Sequence, residues 1–292
     1  MNGMENNSIF EISRADTLRF RRIVIDVMSE ACKIDGDVSY EYDGIGRLGE
    51  KQMHAAIKRF ICPDKSCHEI LIDGSSLCIA RDENENNKKR KFVADVLVGN
   101  TITEIQTGSF APLRDKIKWI LENTDYNIIL IHPVAQTKWV NIIDGKSGEI
   151  SKRYRSPKRE GLNSVAGELY YIREFISSPR FSLVLLMMEA EQYKRELGSG
   201  KRKRYEKYEL IPVNLLSAHV FKGIDSYRCF IPDGLDDRFT VKQFSALSKI
   251  RGRDAYSTVH TLCDLGLMRE DGKIGRAAAY SVVKQNDINK QK

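Results

Sequence analysis

The 292-residue sequence predicts an α/β or α+β chain: a mixed central sheet flanked by helices, followed by a smaller C-terminal unit. Three observations predict it. Apolar positions spaced near 3.6 residues alternate with short strand-like runs through the first half. Asp-Gly and Gly-Asn pairs punctuate those runs, as tight hairpins require. From residue 238 onward the order changes to helix, turn, helix, hairpin.

Taken in order, residues 15–33 put Leu18, Ile23, Val27 and Ala31 on one helical stripe. Gly, Asp and Tyr then enrich a loop, so 1–47 reads as an N-terminal helical segment. A second helix, Leu48–Ile61, turns Met53, Ile57 and Phe60 inward and carries Glu50, His54 and Lys58 four residues apart on another face. Pro63 stops it. His68–Ile72 and Leu77–Ala80 are strand-like around Asp73-Gly74, and a polar loop follows. Phe92–Val98 and Thr101–Thr107 are strands joined at Gly99-Asn100. A helix over Pro112–Asn123 points Leu113, Ile117, Ile120 and Leu121 inward. Asn127–Ile131 and Trp139–Ile143 are strands, the second closed by Asp144-Gly145. Asn163–Ile176 and Phe181–Leu197 are predicted as two trailing helices, which completes a domain over 48–197. A Gly/Ser break and the charge run KRKRYEKYE open a basic connector over 198–237. In the last unit, 238–292, Thr240 with Gln243 reads as a capping box, Asp254 as a second cap, and Asp271-Gly272 as a hairpin turn.

Composition narrows the function classes. Hydrophobic residues make up 41% and charged residues 30%, enough for a packed core and too much for wholesale disorder. The longest apolar run, Phe181–Met188, falls far short of the roughly 18 residues of a membrane span, and the first residues form no apolar signal segment. Six scattered cysteines give no disulfide framework. A cytoplasmic protein without a membrane partner is expected. The net charge is +7. Residues 201–292 hold 18 Lys and Arg against 11 Asp and Glu, which leaves 29 of each for residues 1–200. The whole basic excess therefore sits in the last third, as contact with a polyanion would require.

Chemistry concentrates in Phe92–Phe110. Asp95 lies in one strand; Glu104 and Gln106 share a face of the next, and Ile105 points to the core on the other. The turn between the strands brings Asp95 near Glu104. Two carboxylates so placed can bind a hard divalent cation, Mg²⁺ or Mn²⁺, which polarises a phosphate and activates a water. Glu50 reaches the same site from its helix.

Glu50, Asp95 and Glu104-Ile105-Gln106, in the order helix, hairpin, strands, helix and further strand, resemble the PD-(D/E)xK (restriction-endonuclease-like) nuclease superfamily over residues 48–145. The resemblance implies a magnesium-dependent DNA endonuclease in which Asp95 and Glu104 bind metal with help from Glu50. Gln106 stands where lysine is usual. It can orient the attacking water by a hydrogen bond, and Lys116 or Lys58 can supply the displaced charge. His54 would contact phosphate or tune the site. Residues 238–284 resemble the winged helix-turn-helix superfamily. That resemblance implies base contacts from Arg253, Tyr256, Ser257 and His260 on the second helix, and phosphate contacts from Lys249, Arg251, Lys273 and Arg276. Arg153, Arg155, Lys158 and Arg159 around Ser156 form a further basic patch.

The expected partner is double-stranded DNA, in restriction and defence or in recombination and repair. The alternatives are a non-catalytic DNA-binding regulator with a degenerate nuclease core, and an RNA nuclease. Cutting both strands would call for a homodimer, though no dimerisation element stands out. Cys62, Cys67 and His68 have the residue types of a zinc site but lack a second pair nearby.

Overall fold

The computed structural model describes residues 7–34, 48–73, 91–197 and 204–283. The protein is α+β, built on a curled mixed sheet. Strand β1 (Asn7–Glu11) and helices α1 (Arg14–Ile34) and α2 (Leu48–Ile61) come first. Then follow β2 (His68–Asp73), β3 (Lys91–Val98), β4 (Thr101–Ile105), α3 (Arg114–Asn123), β5 (Asn127–Ile143) and β6 (Ile150–Arg155). A short helix α4 (Leu169–Ile172) precedes the long strands β7 (Phe181–Leu197) and β8 (Arg204–Phe221). The sheet order is β1-β8-β7-β5-β4-β3-β2, with β6 also on β5. Strands β4, β5 and β7 run parallel; the other pairs are antiparallel. No described helix is long and apolar enough to cross a membrane.

Helices cover both faces of the sheet, which is why its parallel strands read as apolar on both sides. On one face Phe20 and Val27 of α1 pack with Met53 and Ile57 of α2 against Ile105, Ile131 and Met188. On the other, Ile117 and Ile120 of α3 join Ile102, Leu130 and Leu183. That second core continues without a break into the C-terminal unit through Phe244 and Val259.

Three expectations over residues 163–221 are corrected. Phe181–Leu197 is a strand, not a helix: it lies between β5 and β8, and its run of buried apolar residues carries no period that separates the two states. Asn163–Ile176 forms 3-10 turns around the single helical turn of α4. Arg204–Phe221, inside the segment read as connector, is β8, paired with β7 throughout.

The two strands expected between 127 and 143 are one, with an irregularity between Ala135 and Thr137. Pro133 is tolerated because its missing N–H falls on the β4 edge of β5. That edge has no strand partner between the end of β4, where the Gln106 amide donates to Ile131 O, and the first β6 pair at Trp139.

The C-terminal unit contains β9 (Phe239–Thr240), α5 (Val241–Ser248), α6 (Arg253–Asp264), β10 (Met268–Ile274) and β11 (Ala277–Val282). The Thr240–Gln243 capping box is formed. Asp254 is not a cap: Gly252 takes that position without a side-chain bond, and Asp254 sits inside the first turn. The sheet order is β10-β11-β9. Asp254 lies so close to Gly167 that a Cβ there would meet its Oδ1 at 2.6 Å. Arg173 meets Asp264 at 2.7 Å, so α6 is docked on the α4 segment. Leu77–Ala80 and the Asp73-Gly74 turn fall largely outside the described residues.

Candidate functional site

The β3–β4 ladder runs from Val98–Thr101 to Val96–Thr103 and stops, and there the two strands part. Asp95 lies at that point. Its Oδ2 accepts the Ile105 amide at 2.8 Å, a bond to β4 made by a side chain instead of the backbone. The same oxygen meets His54 Nε2 of α2 at 3.0 Å. Glu104, on β4, turns to the opposite helical layer. Its Oε2 meets Lys116 Nζ of α3 at 2.5 Å, and that ammonium also donates to Val93 O at 2.5 Å. Both side chains of the Glu104–Lys116 pair are nearly buried, at 3% and 12% exposure.

A third pair completes the cluster. Lys58 Nζ of α2 meets Glu69 Oε1 of β2 at 2.8 Å. Glu69 has φ 55°, an uncommon backbone state for a non-glycine residue, and it falls opposite Asp95, where the β2–β3 pairing is interrupted between His68–Val96 and Ile70–Ala94 without a change of register. Three carboxylates are thus each matched by one nitrogen base or cation: Asp95 by His54, Glu104 by Lys116, Glu69 by Lys58.

Burial and charge separate the two strand acids. Burial pushes Asp95 upward, but the hydrogen bond and charge of His54, the Ile105 amide and the charge of Lys116 outweigh it, so its carboxyl lies below the usual range. For Glu104 burial dominates. Lys116 opposes it and the nearby Asp95 charge reinforces it, and the carboxyl is pushed up to about 7. Glu104 Oε1 is buried with no hydrogen-bond partner. An orphaned buried carboxylate oxygen is costly unless a proton or a cation satisfies it.

The other expected site residues are placed as follows. Glu50 lies on α2, but its side chain is outside the described residues. Gln106 turns away from Glu104: its Nε2 donates to Ser109 O, and its carbonyl meets His132 Nδ1 at 2.5 Å. The amide expected to orient water is therefore engaged by the 107–109 turn. Ile105 does face a core, but so does Glu104, because helices cover both faces. Lys116 pairs with Glu104, and Lys58 pairs with Glu69. Sequence reasoning missed Glu69 as a member of the cluster, and no local signal announces its backbone state. It also missed Glu168, whose Oε2 accepts Ser109 Oγ and the Phe110 amide, both at 2.8 Å, and so ties the turn after β4 to the α4 segment.

Among the described residues no group of three or more His, Cys, Asp or Glu stands in metal-ligand geometry. Asp95 and Glu104 have donor chemistry that suits a divalent cation, one ionised and the other with an unpartnered oxygen, though the two side chains turn to opposite helical layers.

On the C-terminal unit, Arg253, Tyr256 and His260 stand exposed on one strip of α6, and Ser257 is half-buried beside them. Lys249 ends α5 in the left-handed conformation, with φ 61°. Lys249, Arg251, Arg253, Lys273 and Arg276 are all exposed and have no ion-pair partner among the described residues. Arg155 is exposed on β6 and donates to Thr137 Oγ1 at 3.3 Å; Lys158 meets Glu160 at 3.6 Å. Arg153 lies over the Trp139 ring and meets Glu191 at 2.9 Å.

The part of the chain from α2 to the end of β8 defines a family. A model described as a domain of unknown function (DUF8091) matches residues 51–222, and the chain belongs to that family. No curated protein and no solved structure matches it.

Proposed function

We propose that the protein is a metal-dependent DNA endonuclease of the PD-(D/E)xK type, with its reacting centre at the parting of β3 and β4. The observation that carries this reading is the pair of strand acids there: Asp95 ionised, Glu104 held near neutrality, with Lys116 acting on both. The order α2, β2, β3, β4, α3, β5, with β4 and β5 parallel across α3, supports it. Asp95 and Glu104 would hold Mg²⁺ or Mn²⁺, with Glu50 assisting. The bound cation supplies the polarised phosphate and the activated water. Lys116 stabilises the charge that builds up on the phosphate, in place of the usual strand lysine. His54 keeps Asp95 ionised and oriented. Gln106 holds the 107–109 turn.

The C-terminal unit would act as a winged helix-turn-helix that grips double-stranded DNA. Its α6 strip would face bases, while Lys249, Arg251, Lys273 and Arg276 meet phosphates. Arg155 and Lys158 extend the basic surface. Cytoplasmic restriction, defence, recombination or repair all suit such an enzyme, and a homodimer would cut both strands.

One observation favours a second reading, a DNA-binding regulator with a degenerate core: each acid of the cluster already has a protein partner. The experiment that separates the two uses supercoiled plasmid and a structured RNA, each with Mg²⁺ or with EDTA. The nuclease reading expects plasmid nicking or linearisation with Mg²⁺ alone, lost in Asp95→Ala. Tight binding without cutting by the folded protein favours the regulator, and cutting confined to RNA makes it a ribonuclease.

A further inference from the structure

Between α2 and β2 the chain makes one compact turn, Cys62-Pro63-Asp64-Lys65-Ser66-Cys67, with a 3-10 turn over Lys65–Cys67. Its two cysteines converge on one atom. Cys62 Sγ donates to Asp64 O at 3.6 Å, and the Cys67 amide donates to the same oxygen at 3.2 Å. The neighbouring Cys62 thiol and burial push the Cys67 thiol up. The Asp64 carboxylate caps the turn through the Ser66 amide at 2.9 Å, and the His68 ring meets Cys62 O at 2.8 Å. No group of three or more His, Cys, Asp or Glu among the described residues stands in metal-ligand geometry, so the two cysteines and His68 form no zinc-ligand set there. Both cysteines are half-exposed, so a small oxidant reaches them. Disulfide formation needs the two Cα atoms within about 7 Å; the Cys62 thiol and the Cys67 amide meet one carbonyl oxygen across the capped turn, which holds the two residues close.

We propose that Cys62 and Cys67 form a modification site, a dithiol that a peroxide converts reversibly into an intrachain disulfide. The Cys62 sulfur, as thiolate, attacks a peroxide oxygen. The O–O bond breaks, hydroxide leaves and takes up the thiol's proton, and a sulfenic acid forms. The second sulfur displaces the sulfenic hydroxyl, which leaves as water. The sum is two thiols and one hydrogen peroxide giving one disulfide and two waters, with two electrons passing from sulfur to the O–O bond. A dithiol reductant reverses it. The site stands at the end of the helix that carries His54 and Lys58, and it does not depend on the nuclease reading.

The test uses the full chain, reduced, freed of reductant, and exposed to hydrogen peroxide. Thiol titration should fall from the six cysteines of the sequence to four. Trypsin cuts after Lys65, so the disulfide should hold residues 60–65 and 66–81 together, and fragmentation should assign the bond to Cys62 and Cys67. Dithiothreitol should release the two peptides. In Cys67→Ser, Cys62 should be trapped by a sulfenic-acid reagent. An assignment to Cys78 or Cys32, disulfide between chains, or six thiols surviving peroxide would overturn the proposal.

Discussion

The parting of β3 and β4 and the C-terminal unit handle charge in opposite ways. At the parting, three acids and three bases are matched one to one, and the balance of burial against partners sets the two strand acids apart: burial wins at Glu104, pushed up to about 7, while His54, the Ile105 amide and Lys116 hold Asp95 low. On α5, α6 and the β10–β11 hairpin, the cations stand exposed and unpaired. Charge that is paired and desolvated can do chemistry, because its energy changes steeply with a proton or a cation. Charge that is exposed and unpaired can hold a polyanion and be screened by salt. The +7 of the whole chain hides this division.

The comparison can be broken most forcefully at Asp95. Asp95→Ala should lower metal-dependent plasmid cutting by at least about a hundredfold, measured as the nicking rate, with DNA affinity unchanged. Next comes the buried pair. Lys116→Met leaves Glu104 alone in the core and should cost about 3–5 kcal/mol at pH 8 in urea denaturation. The cost should be much smaller at pH 5, where Glu104 is protonated.

Glu104 sharpens the comparison through its sign. Its folded value lies above its unfolded value of 4.5, so the folded state binds the extra proton between the two. Its contribution should make stability fall as pH rises from about 4.5 to about 7, and level off above that. Asp95 works the other way: its stabilisation is present above the ordinary carboxylate value and is lost as pH falls through its lowered one. Glu104→Gln should remove the downward slope between 4.5 and 7, measured by urea midpoints across pH, and leave the acid-side loss in place.

The smallest effect belongs to the C-terminal unit. Arg253→Ala should weaken duplex binding modestly, about tenfold if it contacts a base, with cutting at saturating protein retained. If it contacts phosphate, the slope of log affinity against log salt should drop by about 0.9. Fluorescence anisotropy at several salt concentrations separates the two.

The acids and the elements around them were legible because their signals are local. Gly99-Asn100 marks the β3–β4 turn, the spacing of Asp95 and Glu104 puts them across it, and Lys116 follows from one helical turn of α3. What escaped was set by tertiary context. Phe181–Met188 reads equally as a buried helix or a buried strand until β5 and β8 are seen on either side. The basic run near Arg204 reads as a connector, although the residues from Arg204 to Phe221 pair with β7. Glu69 enters the cluster only through an irregular backbone, and the turn of Gln106 toward Ser109 follows from where β4 ends. The helix layers on both faces, which send Asp95 to α2 and Glu104 to α3, follow from topology and leave no trace in a single strand's alternation.

The central claim is that these two acids take a divalent cation. Calorimetric titration of the full chain with Mn²⁺ tests it most directly, with Asp95→Asn and Glu104→Gln alongside. The account predicts saturable binding that both substitutions abolish or weaken at least tenfold, with release of protons from Glu104 near pH 7. Binding unaffected by either substitution, or none at millimolar Mn²⁺, would contradict it.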